Sequence, residues 1–229
     1  MLYIVGTPIG NLKDLSIRQA ETIMSADILL TEDTRSTGIL MEKIREFFHL
    51  ERKDNQRIFS YYKDVEFSKL PEIIEYIETN DVVLISQCGM PLISDPGHLL
   101  IKETIKRNLP FTIVPGPTAS TTALIASGFS PHPSMYLGFL PKQKNKVKKI
   151  IESTHIVALE MKDTTFIAYD SANRLLDTLK IFVELYPEAH ICICRELTKQ
   201  YEEMIRGTAT EILQKEIILK GEITLVFRF

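Results

Sequence analysis

The sequence predicts an α/β fold whose sheets are covered by helices, and three observations carry that prediction. Short apolar runs at residues 2–5, 28–31, 82–86, 111–114, 136–139, 166–169, 191–194 and 223–227 alternate with amphipathic segments through the 229 residues. The runs are too uniformly apolar to leave one sheet face in water, which is the pattern of parallel sheets buried on both sides. A turn signal and a segment of helical spacing follow each of the first four runs, giving a β-α-β-α rhythm.

The first run, Leu2-Tyr3-Ile4-Val5, ends at a glycine, and Ser16 with Gln19 three residues later reads as a capping box that opens a helix. Farther on, Leu70, Ile73, Ile74 and Ile77 recur at the i, i+3, i+4, i+7 spacing of one helical face. Thr208 and Glu211 form a second capping box. The segment 153–165 is readable both as a strand, through His155-Ile156-Val157-Ala158-Leu159, and as the end of a helix begun near Lys146. Prolines around Gly116 mark a lobe boundary, giving an N-terminal α/β lobe over 1–116 and a C-terminal one over 117–229; Pro131-His132-Pro133 is the alternative boundary. Residues 118–127, rich in small side chains, read as a closely packed helix.

Composition narrows the function classes. With 45% hydrophobic and 25% charged residues the chain can bury a core without staples. A net charge of −3 argues against sequence-blind binding to long nucleic acid, though not against a local basic patch. The three cysteines show no C-x-x-C spacing, and Cys192 and Cys194, two apart in an apolar run, read as one face of a buried strand. Scattered histidines suggest no metal site. Tyr61, Tyr62, Met161 and Met204 read as packing residues. Met1-Leu2-Tyr3-Ile4-Val5 enters a strand without a basic leader, and no run approaches the ~18 apolar residues of a membrane span. The expectation is a cytoplasmic protein without membrane contact.

Four loops, each directly after a strand-like run, stand where open parallel sheets bind ligands. Gly6-Thr7-Pro8-Ile9-Gly10-Asn11 combines two glycines with a stiffening proline. Thr31-Glu32-Asp33-Thr34-Arg35 gathers two carboxylates and an arginine. Ser86-Gln87-Cys88-Gly89-Met90-Pro91-Leu92-Ile93-Ser94-Asp95-Pro96-Gly97 is too long to be a mere connection. Pro115-Gly116-Pro117-Thr118-Ala119-Ser120 is a rigid turn opening a helix. Neither G-x-G-x-x-G nor a Walker pattern occurs, so dinucleotide or nucleotide-phosphate binding has no support, while a nucleoside-like ligand does.

These loops, with Gly138-Phe139-Leu140-Pro141, Tyr169-Asp170-Ser171-Ala172-Asn173-Arg174 and Arg195-Glu196-Leu197-Thr198-Lys199, resemble the tetrapyrrole-methylase family of S-adenosylmethionine-dependent methyltransferases, in order from Leu2 to about Val226. The strings Glu32-Asp33-Thr34-Arg35, Pro91-Leu92-Ile93-Ser94-Asp95-Pro96-Gly97 and Arg195-Glu196-Leu197-Thr198 resemble its ribosomal RNA small subunit methyltransferase I branch. The resemblance implies two α/β lobes with a ligand cleft between them, a homodimer, S-adenosylmethionine as methyl donor, no metal, and 2′-O-methylation of a cytidine in small-subunit ribosomal RNA, free or in the ribosomal subunit. It implies donor contacts at Pro8, Cys88, Gly89, Met90, Ile93, Thr118, Ala119 and Leu197. The chain departs from the branch at Gln87 and Cys88, where an aspartate and a small residue are usual, at Met90 in place of threonine, and over 169–174.

A ribose hydroxyl attacks only once its proton leaves, so a positioned carboxylate is needed, and Asp95 and Asp33 are the candidates. Arg35 and Arg174 are candidates for a phosphate or ribose of the RNA, or for internal bridges to Glu32 and Asp170. Residues 142–149 hold five lysines, among them Lys142, Lys144 and Lys146, which read either as a solvated face or as phosphate contacts. The rival readings are a tetrapyrrole C-methyltransferase of the same fold and a binding protein that has lost catalysis.

Overall fold

The computed structural model describes Met1–Phe229, which divide into two compact units, Met1–Thr118 and Ala119–Phe229. The first unit runs β1 (Leu2–Val5), α1 (Ile17–Ser25), β2 (Ile28–Thr31), α2 (Thr34–Phe48), β3 (Arg57–Ser60), α3 (Lys63–Thr79), β4 (Val82–Ile85), α4 (His98–Lys106) and β5 (Phe111–Val114). Its strands form one parallel sheet in the order β3-β2-β4-β1-β5.

Side chains alternate across that sheet, so two cores form. Val5, Leu29, Val83, Ile85 and Val114 pack with Ile23, Met24, Leu40, Met41 and Ile44 of α1 and α2. Leu2, Ile4, Ile28, Leu30, Val82 and Leu84 pack on the other face with Ile73, Ile74, Ile77 and Leu100 of α3 and α4. Strands β2 and β4 are buried at every residue, which is why they read as unbroken apolar runs. Each fully buried aliphatic side chain contributes about 1.5–3 kcal/mol.

The second unit runs α5 (Ala119–Ser127), β6 (Ser134–Phe139), α6 (Lys144–Glu160), β7 (Thr165–Ser171), α7 (Leu175–Leu185), β8 (His190–Arg195), β9 (Glu203–Thr208), α8 (Ala209–Leu213) and β10 (Glu222–Arg228). The sheet order is β6-β7-β10-β8-β9, with β6 and β7 parallel and the other pairs antiparallel. Phe166, Ala168, Ile191, Ile193, Leu225 and Phe227 pack against α6, α7 and α8. The opposite face meets α5, where Cys194 Sγ lies 3.9 Å from the carbonyl of Ala123. Cys192 and Cys194 are both buried, their sulfurs 3.6 Å apart, as expected for one face of a strand.

Both capping boxes form, Ser16 with Gln19 and Thr208 with Glu211. The ambiguous segment is helical: α6 buries Val147, Ile151 and Thr154 at the i, i+4, i+7 spacing. Its later apolar residues Ile156 and Leu159 are exposed, which explains why they obscured the helical period. Two strands, β3 and β9, had no counterpart among the apolar runs. Both are edge strands, and edge positions select polar residues such as Arg57, Glu203 and Arg206 that break the apolar signal. Tyr61 is buried, but Tyr62 and Met161 are exposed and do not pack in the core.

Candidate functional site

Three loops of the first unit converge at the carboxyl ends of β1, β4 and β5. Thr7 and Gly89 exchange backbone hydrogen bonds, Thr7 N to Gly89 O at 2.9 Å and Gly89 N to Thr7 O at 3.1 Å. Ser86 Oγ also donates to the Gly89 carbonyl at 2.9 Å. Gly89 therefore offers close approach of its backbone, with φ of 84°, while its own polar groups are engaged.

Gly6 and Gly116 pack backbone to backbone: a Cβ on Gly6 would lie 2.8 Å from Gly116 Cα, and one on Gly116 would lie 2.9 Å from Gly6 Cα. The amide of Gly116 donates to Met90 Sδ at 3.2 Å. Gln19 closes the arrangement twice over, accepting from Ser16 N at 2.6 Å and donating to Gly6 O at 2.7 Å. Pro8 and Gly89 are buried, Cys88, Met90 and Thr118 half-buried, and Ile93 exposed.

Within the long loop, Leu92 (φ 70°) and Ser94 (φ 68°) adopt left-handed backbone without being glycine. Such residues cost about 1–2 kcal/mol each and persist where the surroundings over-determine them, most often at ligand sites. Part of that determination comes from Glu66 of α3. Its buried Oε1 accepts from Gly97 N at 3.1 Å and Leu99 N at 2.9 Å, capping α4 from a distance. Burial, then the charge of Glu66, push the phenol of Tyr61 above its ordinary value, so it stays neutral.

The two candidate carboxylates differ sharply. Asp33 is the N-cap of α2: Oδ1 accepts from Arg35 N at 2.8 Å and Oδ2 from Ser36 Oγ at 3.0 Å, with Gln87 Nε2 at 3.4 Å. Those hydrogen bonds, led by the Arg35 amide, hold its carboxyl below the usual carboxylate range. Asp95 is pushed up to about 6, by burial first and then by the negative charge of Glu32. Of the two, only Asp95 has the basicity of a proton acceptor working near neutrality. Arg35 lies exposed in the first turn of α2.

In the second unit, Arg174 Nη2 bridges to Asp170 Oδ1 at 3.0 Å and donates to Leu140 O at 3.3 Å. Asp170, its side chain fully buried, also accepts from Thr178 Oγ1 at 2.7 Å and Ser171 N at 2.7 Å. Arg174 therefore makes the internal bridge that was one of its two readings. Lys144 pairs with Asp177 and Lys148 with Glu184, whereas Lys142, Lys146 and Lys149 make no ion pair. Buried Leu197 sits between Glu196 (φ 51°) and Thr198 (φ 65°), a strained turn tied down by Glu196, which accepts from Glu222 N at 2.8 Å and Lys199 Nζ at 2.9 Å. Ala119 is the first residue of α5.

Sequence reasoning missed Gln19 as more than a cap and missed Glu66 altogether. Glu66 had a signal: it lies four residues before Leu70, on the apolar stripe of α3, where a carboxylate needs partners.

The family model for Tetrapyrrole (Corrin/Porphyrin) Methylases matches residues 1–213. The chain is 40% identical to a protein of Hydrogenobaculum sp. (strain Y04AAS1) named Ribosomal RNA small subunit methyltransferase I, over 98% of this chain and 94% of that one. A protein of the same name from Mycoplasmopsis pulmonis (strain UAB CTIP) is 40% identical over 99% of this chain and 96% of its own. Among solved structures, a diphthine synthase superposes with a TM-score of 0.71 at 14% identity, covering 98% of this chain and 88% of that one. The uroporphyrin-III-C-methyltransferase of Thermus thermophilus gives 0.63 at 16%, covering 99% and 93%. These likenesses establish the α/β fold.

Proposed function

We propose, from the premise that this chain belongs to the tetrapyrrole methylase family, that it transfers a methyl group from S-adenosylmethionine to the 2′-oxygen of a cytidine ribose in small-subunit ribosomal RNA. The observation that carries the RNA is the near-full-length 40% identity to proteins named for small-subunit ribosomal RNA methylation, while the cytidine 2′-oxygen follows from the resemblance of the motif strings. The tetrapyrrole C-methyltransferase alternative shares the family's loops and has fold likeness at 12–16% identity behind it, but the strings Glu32-Asp33-Thr34-Arg35 and Arg195-Glu196-Leu197-Thr198 do not favour it.

The residues present fit the donor. Gly6, Gly89 and Gly116 bring backbone from three loops together with the thioether of Met90, a surface suited to an uncharged nucleoside. Asp33, which Gln87 of the same loop as Gly89 reaches at 3.4 Å, supplies negative charge complementary to a sulfonium and an ammonium. The donor contacts on this reading are Pro8, Cys88, Gly89, Met90, Ile93 and Thr118. When bound, S-adenosylmethionine supplies an electrophilic methyl group.

The protein's share is alignment and proton removal. Asp95, ionised at neutral pH from a carboxyl held at about 6, accepts the proton of the 2′-hydroxyl as the oxygen becomes nucleophilic. Glu66 and the left-handed residues Leu92 and Ser94 fix the turn that presents Asp95. Lys142 and Lys146, exposed and unpaired, attract RNA phosphates. The same reading has the chain act as a cytoplasmic homodimer; no helix is long and apolar enough to cross a membrane.

The test incubates the protein with labelled S-adenosylmethionine and small ribosomal subunits from a strain lacking the homologous methylase. Label on a decoding-region ribose is expected. Donor binding by calorimetry without any labelled RNA would overturn the acceptor assignment.

A further inference from the structure

The carboxyl ends of β6 and β7 carry a cluster of aromatic rings outside the proposed donor contacts. Tyr136 and Phe139 both meet Tyr169 edge-on, with ring centroids 5.1 and 5.2 Å away. On a regular strand residues three apart face opposite sides. The register of β6 against β7 shifts between Tyr136 and Phe139, and Gly138, with φ of 71°, sits in that irregularity. The bulge turns Phe139 onto the Tyr169 side and leaves the residue 61% exposed.

Unpaired positive charge at the same strand end comes from Lys142, since Arg174 is committed to buried Asp170. Arg174 reaches the carbonyl of Leu140, the residue after Phe139, and Lys142 follows three residues after the ring. Helix α6 begins at Lys144 with no side-chain cap and no acid in its first turn. Lys144 is balanced by Asp177, but Lys146 is unpaired and opposes the positive end of the helix dipole, so helix stability does not explain it. An anion arriving there would offset Lys146 and the open amides.

We propose that Phe139, backed by Tyr136 and Tyr169, is a stacking platform for an unpaired base of single-stranded RNA, with the flanking phosphates held by Lys142, Lys146 and the start of α6. Charge complementarity selects this occupant: a polyanion with exposed aromatic faces matches an aromatic surface rimmed by unpaired lysines. The assignment rests on the RNA reading above and deepens it.

The experiment measures binding to a mixed-sequence oligoribonucleotide and to the same strand made abasic, across salt concentrations, with no turnover required. Phe139→Ala should weaken binding of the intact strand on the order of tenfold, leave the abasic strand unchanged and keep the salt slope. Phe139→Trp should retain binding, and Lys142→Gln with Lys146→Gln should weaken both strands alike and flatten the slope. Equal loss on both strands, or no loss, in Phe139→Ala would overturn the platform. So would a smaller species in sedimentation with RNA binding intact, since the ring would then be a contact between copies of the chain. Wild type binding neither strand would overturn the RNA reading along with it, whereas base-dependent binding without label transfer would leave the platform standing and fault only the methylation assignment.

Discussion

The carboxylate of Glu66 and the amide of Gly97 meet at 3.1 Å, joining a buried position on α3 to the last residue of the loop that carries Asp95. The same oxygen takes the Leu99 amide, so one side chain satisfies two donors at the start of α4. Glu66→Ala would strand both and is expected to lower stability by about 2–3 kcal/mol. Glu66→Gln keeps an acceptor oxygen and should recover most of that loss. Urea unfolding of the three proteins checks it; equal stability of Ala and Gln variants would contradict the role given to the oxygen.

On the proposal that Asp95 is the base, its raised carboxyl sets the pH dependence of turnover. If it is the base, turnover should rise with pH through about 6 and level off above it. Asp95→Asn should reduce kcat about 100-fold or more with donor binding retained. Glu32→Gln removes the second cause of the raised value, so the limb should move to lower pH.

The same shift bears on stability with the opposite benefit. A carboxyl raised from 3.8 to about 6 binds its proton more tightly when folded, so its effect is to make stability fall as pH rises between those values. Asp95→Asn should therefore be more stable than wild type at pH 7 and no more stable at pH 3. Denaturant titrations at the two pH values give the comparison.

Gly6 and Gly116 leave no room for a methyl group between β1 and β5, because what stands in the way is backbone and cannot rotate aside. Gly116→Ala should push the two loops apart and weaken S-adenosylmethionine binding at least tenfold in calorimetry. Gly38, where an added Cβ meets nothing, is the control, and Gly38→Ala on exposed α2 should be neutral or stabilising by about 1 kcal/mol.

Arg174 and Lys146 should separate by assay. Arg174→Ala leaves Asp170 buried with its charge unpaired and is expected to destabilise by about 2–4 kcal/mol. Lys146→Gln should leave stability within about 0.5 kcal/mol and lower the salt slope of RNA binding by about 0.7. Thermal melts beside salt titrations distinguish them; a stable Arg174→Ala with a reduced slope would return Arg174 to the RNA surface.

Much of the fold was legible because local signals agreed with the tertiary result. Ser16 and Gln19 announced α1, and Thr208 and Glu211 announced α8. The doubly buried strands β2 and β4 were visible as unbroken apolar runs. Strands β3 and β9 were not, since an edge strand is defined by which neighbour it lacks, and composition does not record that.

By itself the sequence determined the α/β class, the four strand-end loops and the motif strings that mark the family, because each is a property of residues close together in the chain. Only the tertiary structure decided which carboxylate is basic. Asp33 and Asp95 are the same residue type in similar polar loops, yet one is drawn down by the α2 amides while the other is pushed up by burial beside Glu32. Desolvation and Coulomb attraction or repulsion depend on distances between atoms remote in sequence, as do the Glu66 clamp on Gly97 and the approach of Gly6 to Gly116, and those distances exist only in the folded chain.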